Sequence, residues 1–210
     1  MGMTEGIIKF HIHHDASRTC PAYIADRLSD VRAFLFEQGF IGQDPARYGG
    51  CAFGNLSLRL QHDGLFAISG SQTSQLSELA ANGYAVVTRY DLAGNEVFAF
   101  GAIGPSSECL THAAIYATHA DVMSVLHCHI PIIWQYTQQL GLDTTPDDVE
   151  YGSTAMAIAV QNLVKSSKGI FSMLGHADGI VAYGGSPEEA LAILMSTFTA
   201  AKNLAAKTLT

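Results

Sequence analysis

The sequence predicts an α/β fold in which a mixed sheet lies between helices. Two patterns support this prediction. Apolar residues alternate with polar ones or form short apolar runs in several segments, and in other segments they recur at helical spacing. Strand-like segments in the first half flank short turns, so much of the pairing is expected to be antiparallel. Helical segments separate many of the strands, which favours a sheet sandwiched between helices.

The first elements are a strand, a helix and two hairpins. Residues 7–13 alternate as a strand does, and Pro21 opens a helix that ends near Gly39. The predicted hairpins cover residues 53–60 with 65–69, around the turn at His62-Asp-Gly64, and residues 84–90 with 97–101, around a turn at 91–95. A short helix is predicted between them, over residues 74–82.

The second half alternates helices with strands. Ser106 and Ser107 are candidate N-caps of a helix that runs to about Ala120, and a strand over residues 122–130 follows and stops at Pro131. Further helices are predicted after Pro131, from Ser153 to Val164, and from Ser186 onwards; strands are predicted over residues 170–174 and 180–183.

Length and composition favour one globular domain, which we place at residues 7–206. Of the 210 residues, 48% are hydrophobic, and the 11 basic and 19 acidic residues give a net charge of -8. No basic cluster occurs, so we expect neither a nucleic-acid partner nor a membrane partner. The four cysteines form no CxxC pair, and the N-terminus lacks a signal-peptide pattern. We therefore expect a cytoplasmic protein with reduced thiols.

Three histidines and a glutamate have the pattern of a catalytic metal site. His127 and His129 are two residues apart in a predicted strand, so their imidazoles share one face while Cys128 lies on the other. A catalytic zinc site commonly takes three protein ligands, and His176, at the end of another apolar run, is the best third candidate. Glu108 follows two serines at a predicted helix start, where free amides bind anions.

Other histidines admit competing interpretations. His11 and His13 also share a strand face and form a rival pair, although an exposed face without a third ligand is the favoured interpretation. His112 lies one helical turn after Glu108, so the two could form a ligand pair on one helix face, but for His112 we favour a structural or ligand-supporting role. His127 and His129, taken alone, are also compatible with buried, hydrogen-bonded histidines.

Five segments, taken in order, resemble the class II aldolase/adducin family. They are Gly54-Asn-Leu-Ser, Ile68-Ser-Gly, Pro105-Ser-Ser-Glu, His127-Cys-His and Leu174-Gly-His. The resemblance runs from about residue 26 to residue 201. It implies a three-layer α/β/α sandwich with a mixed, mostly antiparallel central sheet, and a homotetramer with active sites at subunit boundaries.

The resemblance also implies roles for individual residues. The metal ligands would be Glu108, His127, His129 and His176; the metal would be Zn²⁺ or another divalent ion; and Glu108 would also act as the catalytic base. The substrate phosphate would be held by six residues: Gly54, Asn55, Ser69, Gly70, Ser106 and Ser107. Aldolases of this family also use two tyrosines, one from a neighbouring subunit and one from a C-terminal tail, whereas residues 205–210 here contain none.

These features together predict a zinc-dependent aldolase that acts on a small sugar phosphate or a related hydroxy-carbonyl compound. A divalent metal would stabilise the enediolate formed when a carboxylate removes the proton next to the carbonyl. Two alternatives stay open. One is an epimerase or dehydratase of a ketose phosphate with the same fold, and the other is a non-catalytic, adducin-like assembly module.

Overall fold

The computed structural model describes residues 6–60 and 65–208, so the predicted turn at His62-Asp-Gly64 lies outside the described residues. The helices are α1 (Ala22–Glu37), α2 (Cys109–Thr118), α3 (Pro131–Gln135), α4 (Thr154–Leu163) and α5 (Pro187–Thr208). The strands are β1 (His11–Asp15), β2 (Gly42–Gln43), β3 (Ala52–Phe53), β4 (Asn55–Arg59), β5 (Phe66–Ser69), β6 (Tyr84–Asp91), β7 (Glu96–Phe100), β8 (Ser124–His129), β9 (Asp143–Thr145), β10 (Gly169–Met173) and β11 (Gly179–Gly184).

A mixed sheet forms the middle layer. Among the described residues it has nine strands in the order β1-β7-β6-β5-β4-β8-β11-β10-β9. Only the outermost pairs, β1 with β7 and β9 with β10, are parallel. The other neighbours are antiparallel, which confirms the predicted mixed, mostly antiparallel sheet. Strands β4, β8 and β11 lie side by side near its centre, where both faces are covered.

Helices cover both faces of the sheet and enclose two apolar cores. On one face, α2 and α4 contribute buried residues such as Leu110 and Met156. On the other face, α1, α3 and α5 contribute Ile24, Ile133 and Leu194. The result is the predicted three-layer sandwich, and each layer is held by the burial of apolar surface. All four cysteines are unpaired.

Side-chain caps determine where two of the helices begin. Ser153 precedes α4, and its Oγ accepts a hydrogen bond from the N–H of Met156 at 3.1 Å. Ser186 precedes α5 and accepts from the N–H of Glu189 at 3.1 Å. Both caps were predicted. The prediction for α2 was wrong in detail, because Glu108 rather than a serine occupies its N-cap position.

The segment at residues 74–82 does not form the predicted helix. It consists of turns and ends in a short 3-10 helix at Ala81–Gly83. The buried guanidinium of Arg32 donates hydrogen bonds to the carbonyls of Thr73 and Leu76, each at 2.8 Å. Arg32 therefore donates to carbonyl oxygens that, in a helix, would accept hydrogen bonds from the helix's own N–H groups.

The first strand begins later than predicted. Instead of residues 7–13, it covers His11–Asp15. The preceding residues leave the sheet and contact the segment before α4. There the N–H of Ile7 donates to the hydroxyl of Tyr151 at 3.3 Å, and the ammonium of Lys9 lies 2.9 Å from the carboxylate of Glu150. These tertiary contacts replace the predicted strand pairing.

Candidate metal site and anion cavity

Three buried histidines meet at one end of the central strands. His127 and His129 lie on β8, and His176 lies in the turn between β10 and β11. Their ring centroids are 4.7 to 5.1 Å apart. One potential ligand nitrogen from each residue lies within 4.8 Å of the others, and this is the one such group of three or more found among the described residues. The three imidazoles could therefore hold one metal ion, as the family resemblance implied.

Strand geometry places two of these rings together. His127 and His129 project from the same face of β8, whereas Cys128 packs into the opposite core with α1 and α5. Gly179 on β11 lies opposite His129 and follows the turn of His176. A β-carbon at Gly179 would lie 3.3 Å from the ring of His176, so glycine leaves space for this imidazole.

The carboxylate of Glu108 lies beside His176, outside the group of three imidazoles. It is 1% exposed, and its Oε1 lies 3.3 Å from Nδ1 of His176. The hydroxyl of Thr111 donates to Oε2 at 2.9 Å. Burial alone would raise the pKa of Glu108, but the hydrogen bond from His176 and the charge of His127 outweigh it and lower the pKa to about 2. Glu108 is therefore ionised, as a metal ligand must be.

Asn55 on β4 lies directly opposite His127 on β8. Its side-chain nitrogen is 3.2 Å from Nδ1 of His127. If His127 bound a metal through Nε2, Nδ1 would carry the proton and need an acceptor. The amide of Asn55 would then turn its oxygen toward His127 and its NH₂ group away from it, with no other change in position.

A small polar cavity adjoins the histidines. The lining residues are Gly6, Ala52, Gly54, Asn55, Gly70, Ser71, Gln72, Ser74, Ser106 and Ser107. Neither lysine nor arginine is among these described residues, so an anion here would be held by amides and hydroxyls. The structure thus brings together five of the six residues predicted to hold a phosphate.

Ser69 is the predicted phosphate residue that does not line the described cavity. Its hydroxyl accepts a hydrogen bond from the N–H of Leu56 at 3.1 Å, between β5 and β4. Three further lining residues with hydroxyl or amide groups, Ser71, Gln72 and Ser74, come from the turns after β5. Sequence reasoning missed these three because it stopped at Gly70, where the strand ends.

His112 lies in a buried polar network beneath the site. The hydroxyl of Ser57 is 2.7 Å from Nδ1 of His112 and 2.7 Å from the hydroxyl of Tyr116. Burial, together with the charge of His127, lowers the pKa of His112 to about 3, so this imidazole is neutral. This buried network is compatible with the structural role predicted for His112. His13, from the rival pair, stacks on Phe98 at the edge of the sheet.

Two tyrosines that sequence reasoning did not assign flank the histidines. The ring of Tyr48 lies 4.4 Å from that of His129, and the ring of Tyr151 lies 4.6 Å from that of His176, measured between centroids. Tyr48 has a φ of 50°, rare for a residue other than glycine. For Tyr48, the only nearby signal in the sequence was the Gly49-Gly50 pair, which indicates a turn but not where that turn places the tyrosine ring.

Comparison with known proteins identifies the family. Residues 46–204 match the model of the class II aldolase and adducin N-terminal domain. The chain belongs to this family. No curated protein matches the chain significantly. Members of the class II aldolase and adducin family are mostly enzymes, and the class II aldolases among them depend on a metal.

Solved structures of class II aldolases share the fold. One is YgbL from Klebsiella pneumoniae, a putative aldolase/epimerase/decarboxylase with 22% identity and a TM-score of 0.64, aligned over 86% of this chain and 87% of that one. Another is L-fuculose-1-phosphate aldolase from Thermus thermophilus, with 17% identity, a TM-score of 0.65, and 90% and 96% coverage. A sugar-phosphate aldolase from Thermotoga maritima has 15% identity, a TM-score of 0.67, and 87% and 93% coverage. Within the described part of this family member, no helix is long and apolar enough to cross a membrane.

Proposed function

We propose that this protein is a zinc-dependent aldolase that makes or cleaves a carbon–carbon bond in a small sugar phosphate or a related hydroxy-carbonyl compound. The observation that carries the proposal is a cluster of three imidazoles, with the buried carboxylate of Glu108 against one of them, His176, and a polar cavity nearby. Three imidazoles with a carboxylate beside them are a donor set typical of a catalytic zinc site. A non-catalytic assembly module would gain nothing from this arrangement.

Zinc fits the donor set. Three imidazoles, His127, His129 and His176, would bind it, and the ionised carboxylate of Glu108 would be a further ligand. When bound, a divalent ion would polarise the substrate carbonyl and offset the negative charge that develops on it. The hydrogen bond from Thr111 would hold Glu108 in place while His176 bound the ion.

Glu108 is also the proposed base. In the condensation direction, its carboxylate would accept the proton from the carbon next to the substrate carbonyl. In the cleavage direction, it would return that proton to the same carbon. Glu108 is the buried carboxylate beside the cluster, and it is ionised, as a group that accepts a proton must be.

The polar cavity would hold the phosphate of the substrate. Ser106 and Ser107 directly precede Glu108, so an anion held there would lie next to the proposed base. Gly54 and Gly70 also line the cavity, and each is a glycine because a β-carbon would lie 2.5 Å from a side-chain carbon of Ile41 or Ile103. Asn55 also lines the cavity. With its oxygen turned toward His127, its NH₂ group would add a hydrogen-bond donor between the phosphate and the metal.

The deciding experiment is elemental analysis of the purified protein beside its His127→Ala variant. About one zinc per chain, absent from the variant, is the expected result. Aldehydes would then be screened with dihydroxyacetone phosphate, and the products identified by mass. Failure of the wild-type protein to contain or take up any divalent metal would refute the proposal.

Incubation with ketose phosphates, followed by analysis of the products, separates the alternatives. An epimerase or dehydratase would also begin by removing a proton next to a carbonyl, so Glu108 and the metal would be retained. An epimerase would change the configuration but not the mass, a dehydratase would lose water, an aldolase would give two smaller carbonyl compounds, and a decarboxylase would lose CO₂. The YgbL relative, described as a putative aldolase/epimerase/decarboxylase, makes these product measurements necessary. We also propose a homotetramer, which light scattering would test.

A further inference from the structure

We infer that Tyr48 is a positioning residue for the metal site: its ring and hydroxyl fix His129 and the turn that carries His176. The inference rests on the proposed metal-dependent function. Tyr48 lies in the loop between β2 and β3, far along the chain from both histidines. It is 5% exposed, so its side chain is part of the packed site rather than of the surface.

The ring of Tyr48 restrains the imidazole of His129. The two rings meet edge to face, with centroids 4.4 Å apart and planes inclined by 70°. Phe53 packs against Tyr48 at 5.0 Å and against His129 at 5.3 Å. Two aromatic rings thus enclose one side of His129 and limit its rotation.

The hydroxyl of Tyr48 joins the loop to the turn that carries His176. It donates to Oδ2 of Asp178 at 2.6 Å and accepts from the guanidinium of Arg47 at 2.6 Å. Asp178 lies two residues after His176, and its carbonyl accepts from the N–H of Ile130 at 2.8 Å. Ile130 directly follows His129. One hydroxyl therefore connects the segments that carry two of the three imidazoles.

The backbone at both ends of this hydrogen bond is unusual. Tyr48 has a φ of 50° and Asp178 has a φ of 64°, values that L residues rarely adopt. Such conformations persist where the surrounding contacts hold them, and they are concentrated at functional sites. A loop that only had to turn would use glycine here, as it does at the next two positions.

Four variants and a matched control test the inference. Tyr48→Phe removes only the hydroxyl, Asp178→Asn keeps an acceptor, Asp178→Ala removes it, and Tyr48→Phe/Asp178→Ala combines the losses. Tyr183→Phe is the control, because Tyr183 is another buried tyrosine but contacts Phe171 rather than the histidines. Three measurements are made on each protein: the zinc Kd by competition with a chromophoric chelator, the absorption spectrum with Co²⁺, and the urea midpoint of the metal-free form.

We expect Tyr48→Phe to weaken zinc binding by about 10- to 100-fold, the range for residues that orient metal ligands, and to alter the Co²⁺ spectrum. Asp178→Ala should have the same two effects, and Asp178→Asn should stay near wild type. The double variant should bind zinc no more weakly than whichever single variant has the higher zinc Kd. Tyr183→Phe should match wild type in both Kd and spectrum.

The outcomes separate this inference from the proposed function. A wild-type protein that binds no metal would overturn both. Normal binding by the wild type, together with an unchanged Kd and spectrum in Tyr48→Phe, would overturn the inference alone. The inference would also be overturned if Tyr48→Phe and Tyr183→Phe lost zinc affinity equally and in proportion to the fall in their urea midpoints. If Tyr48→Phe does not fold, identical zinc Kd values for Asp178→Ala and Asp178→Asn would overturn it.

Discussion

The side-chain nitrogen of Asn55 lies 3.2 Å from Nδ1 of His127, and the two residues face each other across strands β4 and β8. Asn55 also lines the polar cavity. One amide thus contacts both a proposed metal ligand and the proposed phosphate position. Replacing this neutral group with a charged one should therefore affect zinc binding and phosphate binding differently.

Replacing Asn55 with aspartate should preserve zinc and impair phosphate binding. A carboxylate still accepts from Nδ1 of His127, but it repels an anion in the cavity. We expect a zinc Kd within a few-fold of wild type and a KM at least tenfold higher for a phosphorylated substrate. Asn55→Ala should weaken zinc binding as well. An unchanged KM in Asn55→Asp would contradict the proposed position of the phosphate.

Glu108→Gln should abolish turnover while metal stays bound through the histidines. The amide is nearly isosteric with the carboxylate but cannot accept the proton. His129→Ala should lose both metal and turnover. Metal content by elemental analysis and initial rates check the pair. Full activity in Glu108→Gln would show that another group is the base.

Ser106→Ala should raise the KM for a phosphorylated substrate and leave the KM for its dephosphorylated analogue unchanged. Ser106 lines the cavity, and losing one hydrogen bond to a charged group costs about 1.5–3 kcal/mol, or roughly 10- to 150-fold in binding. The matched control is Ser166→Ala, at an exposed serine bonded to the carbonyl of Lys168. Equal changes for both substrates would exclude a phosphate contact at Ser106.

Gly54→Ala should destabilise the fold more than Gly39→Ala does. Both glycines have a positive φ, 78° and 69°, so both substitutions strain the backbone by about 1–2 kcal/mol. At Gly54 the new β-carbon would also lie 2.5 Å from the side chain of Ile41 and 3.0 Å from the carbonyl of His127, whereas at Gly39 nothing lies within 4 Å. We expect roughly 1–3 kcal/mol of additional destabilisation, measured by urea unfolding.

Acid should destabilise the metal-free wild-type protein more steeply than its His112→Asn variant. The pKa of His112 is about 3 in the folded protein and about 6.5 in a free peptide, so only the unfolded chain gains this proton between those values. Stability therefore falls as the pH drops from 6.5 toward 3, by at most about 1.4 kcal/mol per pH unit from this group. Parallel stability curves for the two proteins would contradict the burial of a neutral His112.

Local sequence predicted the parts of the site that depend on local geometry. The two-residue period of a strand was enough to place His127 and His129 on one face, with Cys128 on the other. The cap of α4 at Ser153 depends on contacts within one helical turn, and it was also confirmed. The same reasoning failed at residues 74–82, because Arg32, distant in the sequence, takes the carbonyls there.

Contacts between distant segments were not predictable from one sequence. Nothing near Tyr48 indicates that its ring packs on His129 or that its hydroxyl reaches Asp178. The cavity residues after Gly70 were missed for a similar reason, since a strand pattern gives no direction to the turn that follows it. The three histidines were proposed as ligands from the strand spacing and from the apolar run that ends at His176, and the family resemblance supported the set with long-range information that a strand pattern lacks.

The order of strands divides the sheet into two contiguous blocks. Strands β1, β7, β6, β5 and β4 all come from residues 11–100, and strands β8, β11, β10 and β9 all come from residues 124–184. The blocks meet where β4 pairs with β8, beside Asn55 and His127. The polar cavity proposed to hold the phosphate is lined mainly by residues from the first part of the chain, and the imidazoles come from the second. Two separately expressed fragments, divided in the loop before Pro105, would therefore separate most of the cavity from the imidazoles. Recovery of turnover when the fragments are mixed would show that they reassemble.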